Sequence, residues 1–142
     1  MKLAFVAPVY PYRGGIAHFA ARLSSEASMS HEILHINFTR LYPDFLFPGK
    51  TQFDTSERRF ELVNERLLDS VNPLTWGDTG KRIRDWGADA VIFHWWHPFF
   101  APAYKGVMKK VGKHCQKLFI CHNVTPHDGS SMMQRFSRNA LR

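Results

Sequence analysis

Cysteine is scarce: Cys115 and Cys121 are the only two, with five residues between them. That is not C-x-x-C spacing, and no second pair exists to complete a zinc site. Such thiols read as free, buried groups kept reduced in a cytoplasmic setting. Long apolar runs are also missing. No segment approaches the roughly 20 apolar residues that span a bilayer. The opening "MKLAFVAPVYPYRGG" has a lysine before an apolar run, as a secretion signal does. Pro8 and Pro11 interrupt that run and no small-residue cleavage site follows, so the signal reading is rejected. Acid is in short supply too: 12 acidic residues face 19 basic ones, for a formal charge of +7. That balance favours an anionic partner, whether nucleic acid, a phosphorylated small molecule or an anionic membrane face. Charge alone does not choose among them.

Two phosphate-binding signatures are absent. The run "RGGIAHF" lacks the third glycine of G-x-G-x-x-G, and no G-x-x-x-x-G-K-[ST] occurs. Nor is there a carboxylate pair of the glycoside-hydrolase kind. What is present is globular in composition, 44% hydrophobic and 22% charged over 142 residues. That length suits one domain with a real core.

Residues 2–7 read as a buried strand. Ile16, Phe19, Leu23 and Ala27 then recur on one helix face, which places Gly14-Gly15 at a strand-to-helix turn. "EILHINF" (32–38), "DAVIFHW" (89–95) and "KLFIC" (117–121) are further strands. Asn72-Pro73 starts a helix that runs to about Trp86 and stops at Gly87, with Gly77 and Gly80 weakening it. Another helix puts Tyr104, Val107, Met108, Val111 and Cys115 on one face and Lys105, Lys109 and Lys113 on another. Residues 39–57, rich in aromatics, form an ordered excursion with neither period. Residues 60–71 fit a helical face (Phe60, Val63, Leu67, Val71) or a short strand "FELV". From Ser130 onward a last helix is expected, carrying Met132, Met133, Phe136 and Ala140. The alternation predicts an α/β, Rossmann-like parallel sheet with helices on both faces.

In such sheets ligands bind at the carboxyl ends of the strands. Three loops therefore carry the candidates: residues 8–15, 94–100 and 122–128. Gly14 and Gly15 would let a phosphate lie against free N–H groups at a helix start, or would simply serve a tight turn needing positive φ. "HWWHPFF" gathers His94, Trp95, Trp96 and His97 at one strand end. Aromatic faces there suit a sugar, or close off the core. No carboxylate or third ligand accompanies His94 and His97, so no metal is expected. In "ICHNVTPHD", His122 and Asn123 rise directly from a strand, an address for a substrate contact. The lysine helix is a solvated surface or a seat on anionic lipid.

Taken together, "KLAFVAPVYPYRGGIAHFAARL" resembles the opening strand, glycine loop and helix of glycosyltransferase family 4. "VIFHWWHPFFAPAY" and "LFICHNVTPHD" resemble its later strand ends, where a His-Asn or His-Asp pair follows a hydrophobic strand. The likeness spans most of the chain outside about residues 40–70. It implies the GT-B arrangement, two Rossmann-like domains facing a cleft, of which residues 1–142 would be the N-terminal, acceptor-binding one. The donor domain, with its paired glutamates, would be missing, and the isolated domain inactive. The reaction implied is retaining, metal-independent transfer from a nucleotide-diphosphate sugar, which is substrate rather than cofactor, to a sugar or lipid-linked acceptor. By resemblance, Gly14 and Gly15 approach the donor diphosphate and His122 contacts the transferred sugar. Arg13, His18, His94, Trp95, Trp96, His97 and Asn123 are acceptor-side candidates. Many family members carry a histidine four positions after the second glycine; here Phe19 stands there, beside His18. The expected location is cytoplasmic, peripheral to the inner membrane face. A nucleotide-sugar epimerase or phosphorylase half is the enzymatic alternative. A basic nucleic-acid-binding domain is the other, disfavoured because the aromatics cluster at one strand end rather than interleaving with Lys and Arg.

Overall fold

The structure, a computed structural model, describes residues 1–46, 51–56 and 62–123. The helix expected from Ser130 and most of the loop 122–128 lie outside these residues.

Five parallel strands form one sheet: β1 (Lys2–Val6), β2 (Glu32–Arg40), β3 (Glu65–Asp69), β4 (Ala90–Trp95) and β5 (Gln116–Cys121). Their spatial order is β3-β2-β1-β4-β5. Helices α1 (Gly15–Ala27), α2 (Pro73–Trp86) and α3 (Ala101–Val111) flank it, giving a Rossmann-like α/β fold. The order reverses between β1 and β4, so the crevice outside their carboxyl ends is the topological switch point.

β3 was not singled out in the sequence. Residues 60 and 61 of the segment 60–71 lie outside the described residues; beyond them, residues 62–64 are irregular, Val63 is exposed, and the strand is "ERLLD". An edge strand needs little apolar character, and only Leu68 of it enters the core.

The two faces of the sheet differ. Ala4, Val6, Leu34, Ile36, Phe38, Val91, Phe93 and Trp95 point into a large core with α2 and α3. On the other face, α1 buries small residues, Ala17, Ala20, Ala21 and Ser24. This corrects the expected face: Ile16, Leu23 and Ala27 are only partly buried, and Phe19 is 47% exposed. A helix that lies close over a sheet has room for methyl groups, and its bulkier neighbours fall to the flanks. α3 ends at Val111, so Cys115 is buried just before β5 and Met108 is only half-buried. Cys121, expected to be buried, is exposed at the end of edge strand β5.

The caps of α2 match the sequence. The Asn72 side chain accepts from the Leu74 amide at 3.1 Å, and Gly87 adopts φ 80° beyond the last turn. Gly80 is not a weakness. A Cβ there would collide with the Val107 carbonyl oxygen and lie 2.7 Å from Lys110 Cβ. Gly106 likewise leaves room for Trp76, whose Cβ and Cε3 would lie 2.8 Å from an added methyl group. Two glycines thus set how closely α2 and α3 approach.

Candidate functional site

The loop after β1 is held from below by Asn37, fully buried on β2. Its Oδ1 accepts from the Val9 and Phe38 amides at 3.2 and 2.8 Å. Its Nδ2 donates to the Val9 and Tyr10 carbonyls at 3.3 and 3.0 Å and to Asn64 Oδ1 at 3.1 Å. From above, the Arg13 amide donates to Gln52 and the Asp54 amide to Pro11, at 3.0 and 2.8 Å, while Tyr12 stacks on Phe53. The excursion after β2 therefore clips the glycine loop in place. Asn37→Ala would strip the Val9 amide of its acceptor and take a donor from the Val9 and Tyr10 carbonyls, a loss on the order of 3 kcal/mol. Urea unfolding checks the size, and faster amide exchange over residues 9–14 checks the place.

The chain then enters α1 through Gly14 and Gly15. Gly14 has φ 115°, a conformation that favours glycine. Gly15 is different. Its φ is ordinary, and an added Cβ would meet nothing within 4 Å. No contact among the described residues requires glycine there. The missing side chain leaves the first N–H groups of α1 open, with neither a side-chain cap nor an acidic residue in the first turn. A cleft of about 140 Å³ lies at this point, lined by Pro8, Arg13, Gly14, Gly15, Tyr42 and Trp96, among others. Arg13 is exposed. Trp96 is oriented by its Nε1, which donates to the Tyr42 hydroxyl at 2.9 Å. A neighbouring groove of about 510 Å³ shares Tyr42 and Gln52 and adds Tyr12, Arg40, Phe45 and Phe53. A larger cleft, about 710 Å³, opens at the amino ends of the strands around Met1, Asp89, His114 and Gln116. That edge is remote from the loops where parallel sheets bind ligands.

Beneath α1 runs a row of rings. Phe5 stacks on His35 at 6.1 Å and lies 6.4 Å from His94. His94 Nδ1 meets His122 Nε2 at 3.0 Å. Phe19, one turn into α1, sits edge-on to His122 at 5.3 Å and tilted to His94 at 5.9 Å. His35 is fixed in one tautomer: its Nε2–H donates to the Ala7 carbonyl at 3.1 Å, so its Nδ1 accepts the Ser24 hydroxyl at 2.8 Å. Burial lowers His35 to about 4. Burial, then the nearby His122 and His35, lower His94 to about 3. Burial lowers His122 as well. All three imidazoles are neutral at physiological pH. Among the described residues no group of three His, Cys, Asp or Glu side chains stands ready to hold a metal.

The sequence candidates divide accordingly. Gly14, Gly15, Arg13 and Trp96 share one cleft. His122 sits at the same end of the sheet, linked to Gly15 through Phe19 about 6 Å further along α1. Trp95 is 1% exposed and turned into the core, so it offers a ligand no surface. His94 is 0% exposed and reaches outward only through His122. His97 Nδ1 accepts from the Phe99 amide at 3.1 Å, capping the short turn before α3. His18 and Asn123 are exposed. His35 and Asn37 were not singled out. Their signal lay in "EILHINF", where polar residues alternate with apolar ones inside a buried strand. No protein-family model matches the chain, and no curated protein matches its sequence.

Proposed function

We propose that this chain is the N-terminal, acceptor-binding domain of a retaining glycosyltransferase of the GT-B kind. Its donor is a nucleotide-diphosphate sugar and its acceptor a sugar or lipid-linked sugar. The observation that carries the reading is Gly15: a side-chain-free helix start whose openness nothing within the described chain requires, in one cleft with Arg13. As a glycosidic bond to diphosphate breaks, negative charge grows on the leaving group. Fixed main-chain N–H groups stabilise that charge without reorganising, and Arg13 adds a full positive charge. In this reading His122, just past the end of β5, contacts the transferred sugar, and Trp96 gives a ring face to the acceptor. In this reading the nucleotide and the rest of the sugar are held by a second domain, whose closure excludes water. The exposed Lys105, Lys109 and Lys110 of α3, with Lys113 beyond the end of that helix, would rest on an anionic membrane face.

Gly15→Leu tests this. Because no described atom opposes a side chain there, the unfolding midpoint should hardly change. Binding of inorganic pyrophosphate and of a panel of nucleoside-diphosphate sugars, followed by the amide resonances of Gly14 and Gly15, should weaken at least tenfold. Resonances that ignore every ligand, or a variant that binds as well as the parent, would reject the reading.

A further inference from the structure

The two imidazoles at the ends of β4 and β5 have different tasks. We propose that His94 is a positioning residue that holds His122 in the tautomer protonated on Nδ1, so that His122 offers its ligand an N–H donor rather than a base.

One proton lies between His94 Nδ1 and His122 Nε2, which are 3.0 Å apart. Two neutral arrangements fit. In the first, His94 Nδ1–H donates to His122 Nε2. His94 Nε2 is then unprotonated, and His122 carries its proton on Nδ1. In the second, His122 Nε2–H donates to His94 Nδ1. His94 must then be protonated on Nε2, and His122 Nδ1 is bare. The outer nitrogen of His122, which is partly exposed, can meet solvent or ligand in either case. The arrangements therefore differ inside the protein, at His94 Nε2. That atom is buried and, among the described residues, has no hydrogen-bond partner. The rings of Phe5 and Phe19 pack around the His94 imidazole. The second arrangement strands an N–H in this pocket; the first strands only a lone pair. Orphaned buried N–H groups are the rarer defect in folded proteins, and the first arrangement avoids one. A doubly protonated His94 is disfavoured by the same burial and by its imidazole neighbours.

The consequence is chemical. An Nδ1–H on His122 seeks an oxygen, and within the nucleotide-sugar reading that oxygen is a sugar hydroxyl or a phosphate oxygen. This last step rests on the proposed function; the tautomer does not.

Long-range proton–nitrogen correlation spectra of isotope-labelled protein at neutral pH read the tautomer directly. In the parent, His122 should show a protonated Nδ1 and a bare Nε2. His94→Leu should shift His122 toward the Nε2–H form that isolated imidazoles prefer. Phe19→Leu, which keeps an apolar side chain over His94 and removes no hydrogen bond, should leave the tautomer unchanged. A parent His122 protonated on Nε2 would overturn the proposal whether or not the variants fold. So would an unmoved tautomer in His94→Leu, or an equal shift in Phe19→Leu. A protonated Nδ1 in a protein that ignores pyrophosphate and every sugar nucleotide would uphold the pairing and sink the functional reading. A bare Nδ1 in a protein that binds them would do the reverse.

Discussion

Gly80→Ala should destabilise the protein by about 2–3 kcal/mol, although alanine is the better helix former. In an exposed helix interior the exchange gains about 1 kcal/mol. Here the new methyl group would meet the Val107 carbonyl oxygen and Lys110 Cβ at once. A carbonyl in the middle of α3 has no rotamer to escape into, so the two helices must separate. Overpacking of this kind typically costs about 1–3 kcal/mol, occasionally more, and the separation also loosens Ile83 and Val107 in the shared core. Against a total stability of roughly 5–15 kcal/mol, that is a large fraction. Gly106→Ala should behave alike, pressing on Trp76, which also donates from Nε1 to the Asp69 carbonyl at 2.7 Å. Gly77, on the same helix, supplies the control. A Cβ there meets nothing within 4 Å, so Gly77→Ala should be neutral or stabilising by up to about 1 kcal/mol. Urea unfolding of the three variants checks the pattern. Equal effects at Gly77 and Gly80 would mean that the helices do not meet as described.

The second large effect is loss of stability in mild acid. His35 and His94 are buried and neutral, with values lowered to about 4 and about 3 from an ordinary 6.5. In the unfolded chain both take up protons below about pH 6.5, while in the native protein they resist. The unfolded state thus binds more protons, and stability falls as pH falls. Above pH 6.5 the contribution is fully present. Between about pH 6 and pH 4 each imidazole removes about 1.4 kcal/mol per pH unit. The two together should give a slope near 2.7 kcal/mol per unit around pH 5, levelling off as the native imidazoles protonate. Urea unfolding at several pH values measures it. His35→Asn, which carries no titrating group, should roughly halve the slope even if it lowers stability at pH 7. A flat profile from pH 7 to pH 5 would show that these rings are hydrated.

Much of the fold could be read from local signals. The β1, β2, β4 and β5 runs are dense in Val, Ile, Leu and Phe because a parallel sheet is covered on both sides. Asn72-Pro73 and Gly87 punctuate α2 through chemistry confined to a few residues. What escaped depends on partners distant in sequence. β3 exists because Ile36 to Arg40 offers it a ladder, and "ERLLD" alone does not announce a strand. The inner face of α1 is set by how closely the helix lies over the sheet, which favours Ala17, Ala20, Ala21 and Ser24 over its larger residues. Gly80 looks like a flaw until α3 is laid beside it. The site was legible as three loop addresses, since strand order and the carboxyl-end rule need only the alternation of elements. Which side chains reach the surface was not. Trp95 and Trp96 are adjacent in sequence, yet Trp95 ends β4 inside the core, while Trp96, one residue past the strand, packs on Phe100 and borders the cleft.

α1 buries methyl groups and one hydroxyl against the sheet and adds the Phe19 ring at its edge, over His94 and His122. Its first residue borders the cleft at the glycine loop, and its fifth leans on the imidazole pair. The Gly15 amide and the Phe19 ring are therefore spaced by one rigid turn, about 6 Å, so the distance from the glycine loop to the imidazoles is set by helix geometry rather than by a loop.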